Sequence, residues 1–146
     1  MIGLGKINEE NYRECINLKV AESQQKFVSS NVLSLAKAYV YYDKVSPFAI
    51  YGDDIMVGFI LLRLNEEYSN YFIWQLMIDE KYQGKGYGRQ ALEEAIEWMR
   101  RDSRCKEIVT TYIEGNDVAR ELYSSLGFEQ LGEVLDGEVD MILKLA

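Results

Sequence analysis

The chain of 146 residues has the length of one ordinary domain and can bury a hydrophobic core of its own. Hydrophobic residues make up 48% of it and charged residues 27%, which excludes a disordered chain. Its formal charge is -8, from 24 acidic and 16 basic residues, so it attracts cations and we expect no nucleic-acid partner.

Missing residue types exclude further classes of mechanism. The chain has no histidine, which excludes Ser-His-Asp and Cys-His catalysis, and we expect no metal site. Its two cysteines, Cys15 and Cys105, show neither metal-ligand spacing nor a CxxC motif, as in a reducing cytosol. No apolar run has the length of a signal peptide or a membrane span. We therefore expect a cytoplasmic protein without a membrane partner.

Two helices are predicted first. Asn8 is the expected N-cap of the first helix, whose residues recur at helical spacing at Tyr12, Cys15, Ile16 and Val20. The second helix covers about residues 30–42, with Leu33, Ala36 and Val40 on one face. Polar residues 23–25 predict a break between the two helices.

A meander of three strands is predicted next. Pro47 opens the first strand, residues 48–51, and residues 52–54 form a turn. The second strand, residues 55–64, contains Gly58 as a candidate bulge. The third covers residues 71–78.

The second half of the chain predicts two helices and three strands. A buried helical stripe follows a glycine-rich loop, at Ala91, Leu92, Ala95, Ile96 and Met99. A strand at residues 107–112 precedes a helix that starts at Asn116 and ends at Gly127. Two final strands flank a hairpin turn at Asp136 and Gly137. The predicted order is ααβββαβαββ, a single mixed α/β domain over residues 1–146.

The glycine-rich loop, residues 83–88 with the sequence QGKGYG, joins a strand to a helix. Free main-chain N–H groups at a helix N-terminus attract phosphate, and glycine allows close approach. Gly86 follows Lys85 where a P-loop needs Ser or Thr, and Arg89 stands where a dinucleotide fingerprint needs its last glycine. Two interpretations of the loop remain. It binds the diphosphate of coenzyme A, or it is a flexible loop whose glycines have no binding role.

Two motifs resemble those of the GNAT (GCN5-related N-acetyltransferase) superfamily. Gln83-x-x-Gly86-x-Gly88 is similar to its acyl-CoA signature. The second motif lies downstream and reads Asn116-x-x-Ala119-x-x-x-Tyr123-x-x-x-Gly127-Phe128. The order of elements also agrees. The resemblance implies a mixed central sheet with splayed central strands, flanked by helices.

The resemblance also implies acetyl-CoA as cosubstrate, without a metal. Pantetheine is then expected to pair, like an added strand, with the main chain of Met77, Ile78 and Asp79. The diphosphate is expected to bind a set of loop residues that comprises Gln83, Gly84, Lys85, Gly86, Tyr87, Gly88 and Arg89.

Tyr123 matches the superfamily's general acid toward the sulfur of coenzyme A. The alternative is a buried tyrosine that only packs. Asn116 is expected to cap its helix and to contact coenzyme A as well. Some polyamine-type relatives carry a carboxylate in the strand before the loop, but Trp74 and Gln75 stand there. Candidate bases are therefore Glu114, Glu22 or a water chain.

The acceptor is suggested by a further resemblance, to bacterial spermine/spermidine acetyltransferases. It rests on three segments, Gln25-x-Phe27-Val28-x-x-Asn31-x-x-Ser34-Leu35-Ala36, Pro47-Phe48-Ala49 and Met77-Ile78-Asp79. A small cationic amine also fits the acidic charge of the chain. Glu22 and Trp74 are the candidate acceptor contacts, by charge and by cation–π attraction.

These observations predict an N-acetyltransferase that moves the acetyl group of acetyl-CoA to a primary amine of a polyamine. Another small amine, an antibiotic, a protein N-terminus, or a coenzyme A-binding module without catalysis are the alternatives. A homodimer is also expected, with an exposed apolar strand at residues 141–145 as a candidate contact.

Overall fold

Alternating and continuous apolar runs form seven strands in the computed structural model, which describes residues 1–145. The strands are β1 (Ile2–Lys6), β2 (Val45–Gly52), β3 (Ile55–Asn65), β4 (Asn70–Ile78), β5 (Glu107–Ile113), β6 (Glu129–Leu135) and β7 (Glu138–Lys144). The helices are α1 (Tyr12–Ile16), α2 (Asn31–Val40), α3 (Tyr87–Arg100) and α4 (Asp117–Ser125). Short 3₁₀ helices lie at Glu22–Phe27, Glu66–Tyr68 and Glu80–Tyr82. The strand order in the sheet is β1-β2-β3-β4-β5-β7-β6, which confirms the mixed α/β class.

The sheet separates two apolar clusters. One cluster packs α3 and α4 against the sheet and includes the predicted α3 stripe, which is buried. The other cluster lies under α1 and α2 and is built around Phe59 and Leu61 of β3. Because both faces of β3 are covered, its side chains form a nearly continuous buried run. In the part of the chain that the structure describes, no helix is long and apolar enough to cross a membrane.

The N-terminal region differs from the prediction. Residues Ile2–Lys6 form an edge strand that pairs with β2, although two apolar residues between glycines gave too weak a signal for a strand. The side-chain oxygen of Asn8 accepts from the main-chain N–H groups of Glu10 and Asn11, at 2.8 and 3.0 Å. That bonding makes a turn before the helix, and the N-cap is Asn11, so the predicted cap at Asn8 is wrong.

The buried face of α2 is also different from the prediction. Leu33 and Val40 are 47% and 65% exposed, and the buried residues are Asn31, Ser34 and Ala38. The side-chain amide of Asn31 donates to the main-chain oxygen of Cys15 at 2.9 Å. This hydrogen bond satisfies the buried amide of Asn31. A pattern that counts only apolar residues therefore placed this helix face wrongly.

The C-terminal hairpin turns at Asp136 and Gly137 as predicted, with φ of 52° and 76°. Its second strand, β7, lies between β5 and β6, and Met141 is buried. The expectation of an exposed apolar strand at residues 141–145 is therefore wrong. The edge of the sheet on this side is β6, which is exposed along its whole length.

The splay expected from the resemblance is present between β4 and β5. These parallel strands pair only from Asn70 opposite Glu107 to Ile73 opposite Thr110. Trp74 is an extra residue in the β3–β4 register, because Leu61 pairs with Gln75 and Leu62 with Ile73. The bulge bends β4 away from β5, so the C-terminal half of β4 faces an open gap.

Candidate active site

Two glycines shape the loop that precedes α3. Gly84 and Gly86 have φ of 76° and 81°, a conformation that strains any residue with a Cβ, and Gly86 is the N-cap of α3. Among residues 1–145, no acceptor takes the main-chain N–H groups of residues 83–89. These unbonded donors and the positive end of the helix dipole favour an anion at this point.

A cavity of ≈ 500 Å³ opens beside the loop and reaches the C-terminal half of β4 and the inner face of α4. It brings together most of the predicted site residues, which are Met77, Ile78, Gln83, Gly84, Gly86, Tyr87, Gly88, Arg89, Asn116 and Tyr123. Residues from β4, the loop and α4 thus meet around one space, although the sequence separates them widely.

The main chain of β4 faces the gap at alternate residues. The N–H of Asp79 donates to the main-chain oxygen of Val57 in β3, at 2.8 Å. Because antiparallel strands alternate their bonding sides, the main-chain groups of Ile78 and Leu76 point away from β3. The oxygen of Ile78 accepts from the side-chain amide of Gln83 at 3.0 Å, on that gap side.

The main-chain groups of Asp79, a predicted coenzyme A contact, already have partners within the protein. Its N–H is bonded to Val57, and its main-chain oxygen accepts from the N–H of Tyr82 at 2.9 Å. Asp79 is buried and lies outside the cavity lining. The pairing with β3 thus continues one residue beyond the end of β4 and occupies the N–H of Asp79.

Three other predicted contacts also lie away from the cavity lining. Lys85 places its ammonium group over the ring of Tyr82, 5.9 Å from the centroid. Glu22 is exposed at the start of a 3₁₀ helix. Trp74 packs on the α2 side of the sheet, where cations of this protein already cover its ring.

The cations over Trp74 are Lys37 and Arg63, with Nζ and Cζ at 4.5 and 5.1 Å from the ring centroid. The positive charge of these groups opposes the approach of another cation. Trp74 thus lies outside the cavity lining with its ring already covered, and its contact with the acceptor stays a prediction.

Tyr123 lies at the cavity wall on α4 and is only 6% exposed. The helix ends at Ser125, Gly127 follows the C-cap with φ of 97°, and the N–H of Phe128 returns to the main-chain oxygen of Tyr123 at 3.1 Å. This turn packs Phe128 on Tyr123, with ring centroids 5.4 Å apart. Burial raises the pKa of the Tyr123 phenol, and an interaction with the Thr110 hydroxyl offsets part of that shift. The phenol is therefore a proton donor at neutral pH.

Asn116 and Arg89 position the elements around Tyr123. The side-chain oxygen of Asn116 caps α4 by accepting from the N–H of Ala119 at 3.3 Å, and the residue lines the cavity. Arg89 donates to the hydroxyl of Ser125 at 2.7 Å and so joins α3 to α4. Arg89 also pairs with Glu93 at 3.4 Å.

One wall of the cavity was missed by the sequence prediction. It comes from the segment between α1 and α2, with Val20, Ser23, Gln24 and Val28 in the lining. Residues 23–25 gave only the signal of a helix break. No carboxylate belongs to this lining within residues 1–145, so neither Glu22 nor Glu114 stands beside Tyr123.

Comparisons with known proteins agree with this geometry. The profile of the "Acetyltransferase (GNAT) family" matches residues 7–128. The chain is 31% identical to the spermine/spermidine N(1)-acetyltransferase of Bacillus subtilis (strain 168) over 153 aligned positions, which cover 99% of both chains.

Solved structures share the fold. The spermidine N-acetyltransferase of Vibrio cholerae in complex with CoA and spermine superimposes with a TM-score of 0.81 at 17% identity, over 98% of this chain and 95% of that one. A ribosomal L7/L12 alpha-N-protein acetyltransferase in complex with coenzyme A gives a TM-score of 0.78 at 15% identity, over 99% and 94% of the two chains. The family profile spans most of the sequence, and the Bacillus relative aligns along nearly all of it. The chain therefore belongs to the GNAT family of acetyltransferases.

Proposed function

We propose that this protein transfers the acetyl group of acetyl-CoA to a primary amine of a polyamine such as spermidine or spermine. The observation that carries the proposal is the row of unbonded main-chain amides at residues 83–89, which borders the same cavity as the Tyr123 phenol. One end of the cavity thus suits a diphosphate and the other suits a departing thiolate.

The residues present fit coenzyme A. The loop amides and Gly84 and Gly86 would hold the diphosphate, and a Cβ at either glycine would strain the loop. The main-chain groups of Leu76 and Ile78 would pair with the pantetheine amides in the gap, for which the Gln83 side chain must leave the Ile78 oxygen. The main-chain oxygen of Met77, also a predicted contact, lies against Gly58 of β3 instead. Bound acetyl-CoA supplies an acyl group activated as a thioester.

Direct attack in a ternary complex accounts for the chemistry with the residues available. The neutral acceptor amine forms the new N–C bond as the C–S bond breaks. The proton of the amine passes to water, because the cavity lining contains no carboxylate within the described chain. The Oη of Tyr123 gives its proton to the sulfur, and its raised pKa keeps that proton in place until it is needed.

Two observations support a polyamine as acceptor. The Bacillus relative, which aligns along 99% of both chains, is named for spermine and spermidine. The net charge of -8 attracts a polycation at long range. Both cysteines are free and buried, which fits the cytoplasmic location that we also propose.

The acceptor is tested by incubating the protein and acetyl-CoA with single amines and measuring thiol release. The set comprises spermidine, spermine, an aminoglycoside, a diamino acid and a peptide with a free N-terminus. We expect turnover with the polyamines and their mono-acetylated product by mass spectrometry. Turnover of another amine alone would refute the polyamine acceptor, and binding of coenzyme A without any turnover would refute the transferase.

Self-association is a further part of the proposal. The fully exposed edge strand β6 leaves main-chain groups open to a strand of a second copy. Sedimentation velocity of the protein, compared with a Leu131→Pro variant that blocks pairing at this edge, tests it. A monomer at micromolar concentration would refute the homodimer.

A further inference from the structure

The segment between α1 and α2, residues 20–28, forms the cavity wall opposite the loop and is called here the acceptor wall. Its 3₁₀ helix Glu22–Phe27 contains no buried residue, and no side chain caps its N-terminus. Few contacts within the wall hold its shape, because a short 3₁₀ helix makes few hydrogen bonds of its own.

The acceptor wall also has open space on both sides. The ≈ 500 Å³ cavity lies on one side, and a second cavity of ≈ 270 Å³ lies on the other. Val20, Val28 and Met77 line both spaces and form the partition between them. Packing alone therefore leaves the wall room to shift, and its position depends on tethers.

Two buried polar side chains of the β4 region tether the wall, one at each end. The side-chain amide of Gln75 donates to the main-chain oxygen of Ser29 at 2.7 Å. The carboxylate of Asp79 accepts from the main-chain N–H of Lys19 at 2.9 Å, and the N–H of Glu80 donates to the Lys19 oxygen at 2.6 Å. Gln75 and Asp79 are 8% and 6% exposed, so losing a partner leaves a buried group unsatisfied.

The stretch of β4 between the two tethers is the one that faces the gap with its main chain. Leu76 and Ile78 present their main-chain groups there, between Gln75 and Asp79 in sequence. The same five positions therefore hold both the gap in which coenzyme A is proposed to bind and the wall formed by residues 20–28. Since transfer depends on holding two reactants at short distance, this shared origin sets their separation.

We propose that Gln75 and Asp79 are positioning residues that clamp the acceptor wall to β4 and so determine the affinity for the acceptor amine. This inference rests on the proposed function for its kinetic consequence. Its structural consequence, an ordered wall, is independent of the acceptor's identity.

The test replaces Gln75 with Met, which keeps the volume and removes the donor. Losing one net hydrogen bond corresponds to about a fivefold effect, so we expect KM for the polyamine to rise by about that factor or more. The KM for acetyl-CoA and kcat should change by less than about twofold, because the loop and Tyr123 keep their contacts. Amide hydrogen exchange should become faster in residues 20–28 and stay unchanged in α3.

The matched control is Gln130→Met on β6, whose side-chain amide also donates to a main-chain oxygen, that of Gly132 at 3.1 Å. Gln130 lies far along the sheet from β4, and its variant should alter none of these quantities. Asp79→Leu is the second variant, should Gln75→Met fold poorly, because it keeps a similar volume and removes both acceptor oxygens, and it should speed exchange at the Lys19 end of the wall.

Each result decides the inference. Unchanged exchange in residues 20–28 of both variants, or an equal change in every kinetic constant, would overturn the clamp. If the wild-type chain acetylates no polyamine, the proposed acceptor fails, while the exchange measurement on the coenzyme A-bound protein still decides whether the clamp exists.

Discussion

Tyr123 owes its chemical properties to the turn that follows α4. That turn places Phe128 on the ring of Tyr123, and the resulting burial raises the pKa of the phenol. A phenol with a raised pKa keeps its proton to higher pH than an ordinary phenol, while the neutral fraction of the acceptor amine grows with pH. The rate should therefore increase with pH until the phenol itself loses its proton.

Replacing Tyr123 with Phe removes the donor and keeps the packing of the ring. We expect kcat to fall by about tenfold to a thousandfold, the usual contribution of general acid catalysis. The affinity for coenzyme A, measured by titration calorimetry, should stay within about twofold, because the loop amides are untouched. Tyr39→Phe is the control, since Tyr39 is 82% exposed.

The pH profile gives a second check on Tyr123. Wild-type kcat/KM should rise with pH as the acceptor loses its proton, and any fall caused by Tyr123 should appear only above about pH 10. An activity loss that begins near neutral pH, and that persists in Tyr123→Phe, would mean that another group is the acid.

Asp102 stabilises the opposite end of the sheet. It accepts hydrogen bonds from Arg104 at 2.8 Å and from the Tyr71 hydroxyl at 2.9 Å, and Arg104 holds the pKa of the Asp102 carboxyl well below its usual range. A lowered pKa contributes stability above the unfolded value of about 4, which is lost as the pH falls toward the folded value.

Replacing Asp102 with Asn should therefore lower the free energy of unfolding by about 1–2 kcal/mol at pH 7. The difference from wild type should shrink below about pH 4, where the wild-type carboxylate begins to lose its advantage. Urea unfolding at several pH values measures the difference in the free energy of unfolding between the variant and the wild type. Glu97→Gln, at an exposed ion pair with Arg100, should cost less than about 0.5 kcal/mol at every pH. A deficit independent of pH would contradict this role.

The contact between β3 and β4 depends on one glycine. A Cβ at Gly58 would overlap the main-chain oxygen of Met77 and come within 2.9 Å of the Ile78 side chain. The missing side chain therefore lets the gap-forming end of β4 lie close against β3.

Gly58→Ala should push the end of β4 away from β3. We expect a loss of about 1–3 kcal/mol in stability, as for other overpacked sites, and weaker binding of coenzyme A because the gap changes width. Thermal unfolding and calorimetry measure the two effects. Gly3→Ala is the matched control, because a Cβ at Gly3 in β1 meets nothing within 4 Å. An equal effect of both substitutions would contradict the close-contact explanation.

At the scale of helices and strands, segments with a strong periodicity of apolar residues were predicted correctly. Segments with few apolar residues or with buried polar residues were not. The stripe of α3 and the turn at Asp136 and Gly137 follow directly from local chemistry. β1 was missed because its strand character comes from pairing with β2. The face of α2 was misassigned because Asn31 is buried through a bond to a residue distant in sequence.

At the scale of the whole molecule, the acidic charge should govern encounter with the acceptor. The net charge of -8 attracts a polycation, and added salt screens that attraction beyond about 10 Å at 0.1 M ionic strength. KM for spermine should therefore rise by about threefold or more between low and high salt. KM for the anionic acetyl-CoA should not rise in parallel. Salt-independent KM values for spermine would contradict long-range attraction.

The residues of the candidate site could be predicted from the sequence only where they belong to a recognisable motif. Most of the loop residues and Tyr123 stand in motifs, and the structure gathers them around one cavity. The directions of the Trp74 and Asp79 groups were not predictable, because a bulge and an extra strand bond decide them and neither leaves a signal in the sequence. The acceptor wall was missed because its residues share only proximity, which arises from tertiary folding.

The position of β7 between β5 and β6 constrains the order in which the sheet forms. β6 precedes β7 in sequence but contacts β5 only through it. A hairpin forms within microseconds, whereas β5 meets β7 across the intervening α4. We therefore expect the two final strands to pair first with each other and then to dock on β5 as a unit, so that the sheet gains both strands in one step.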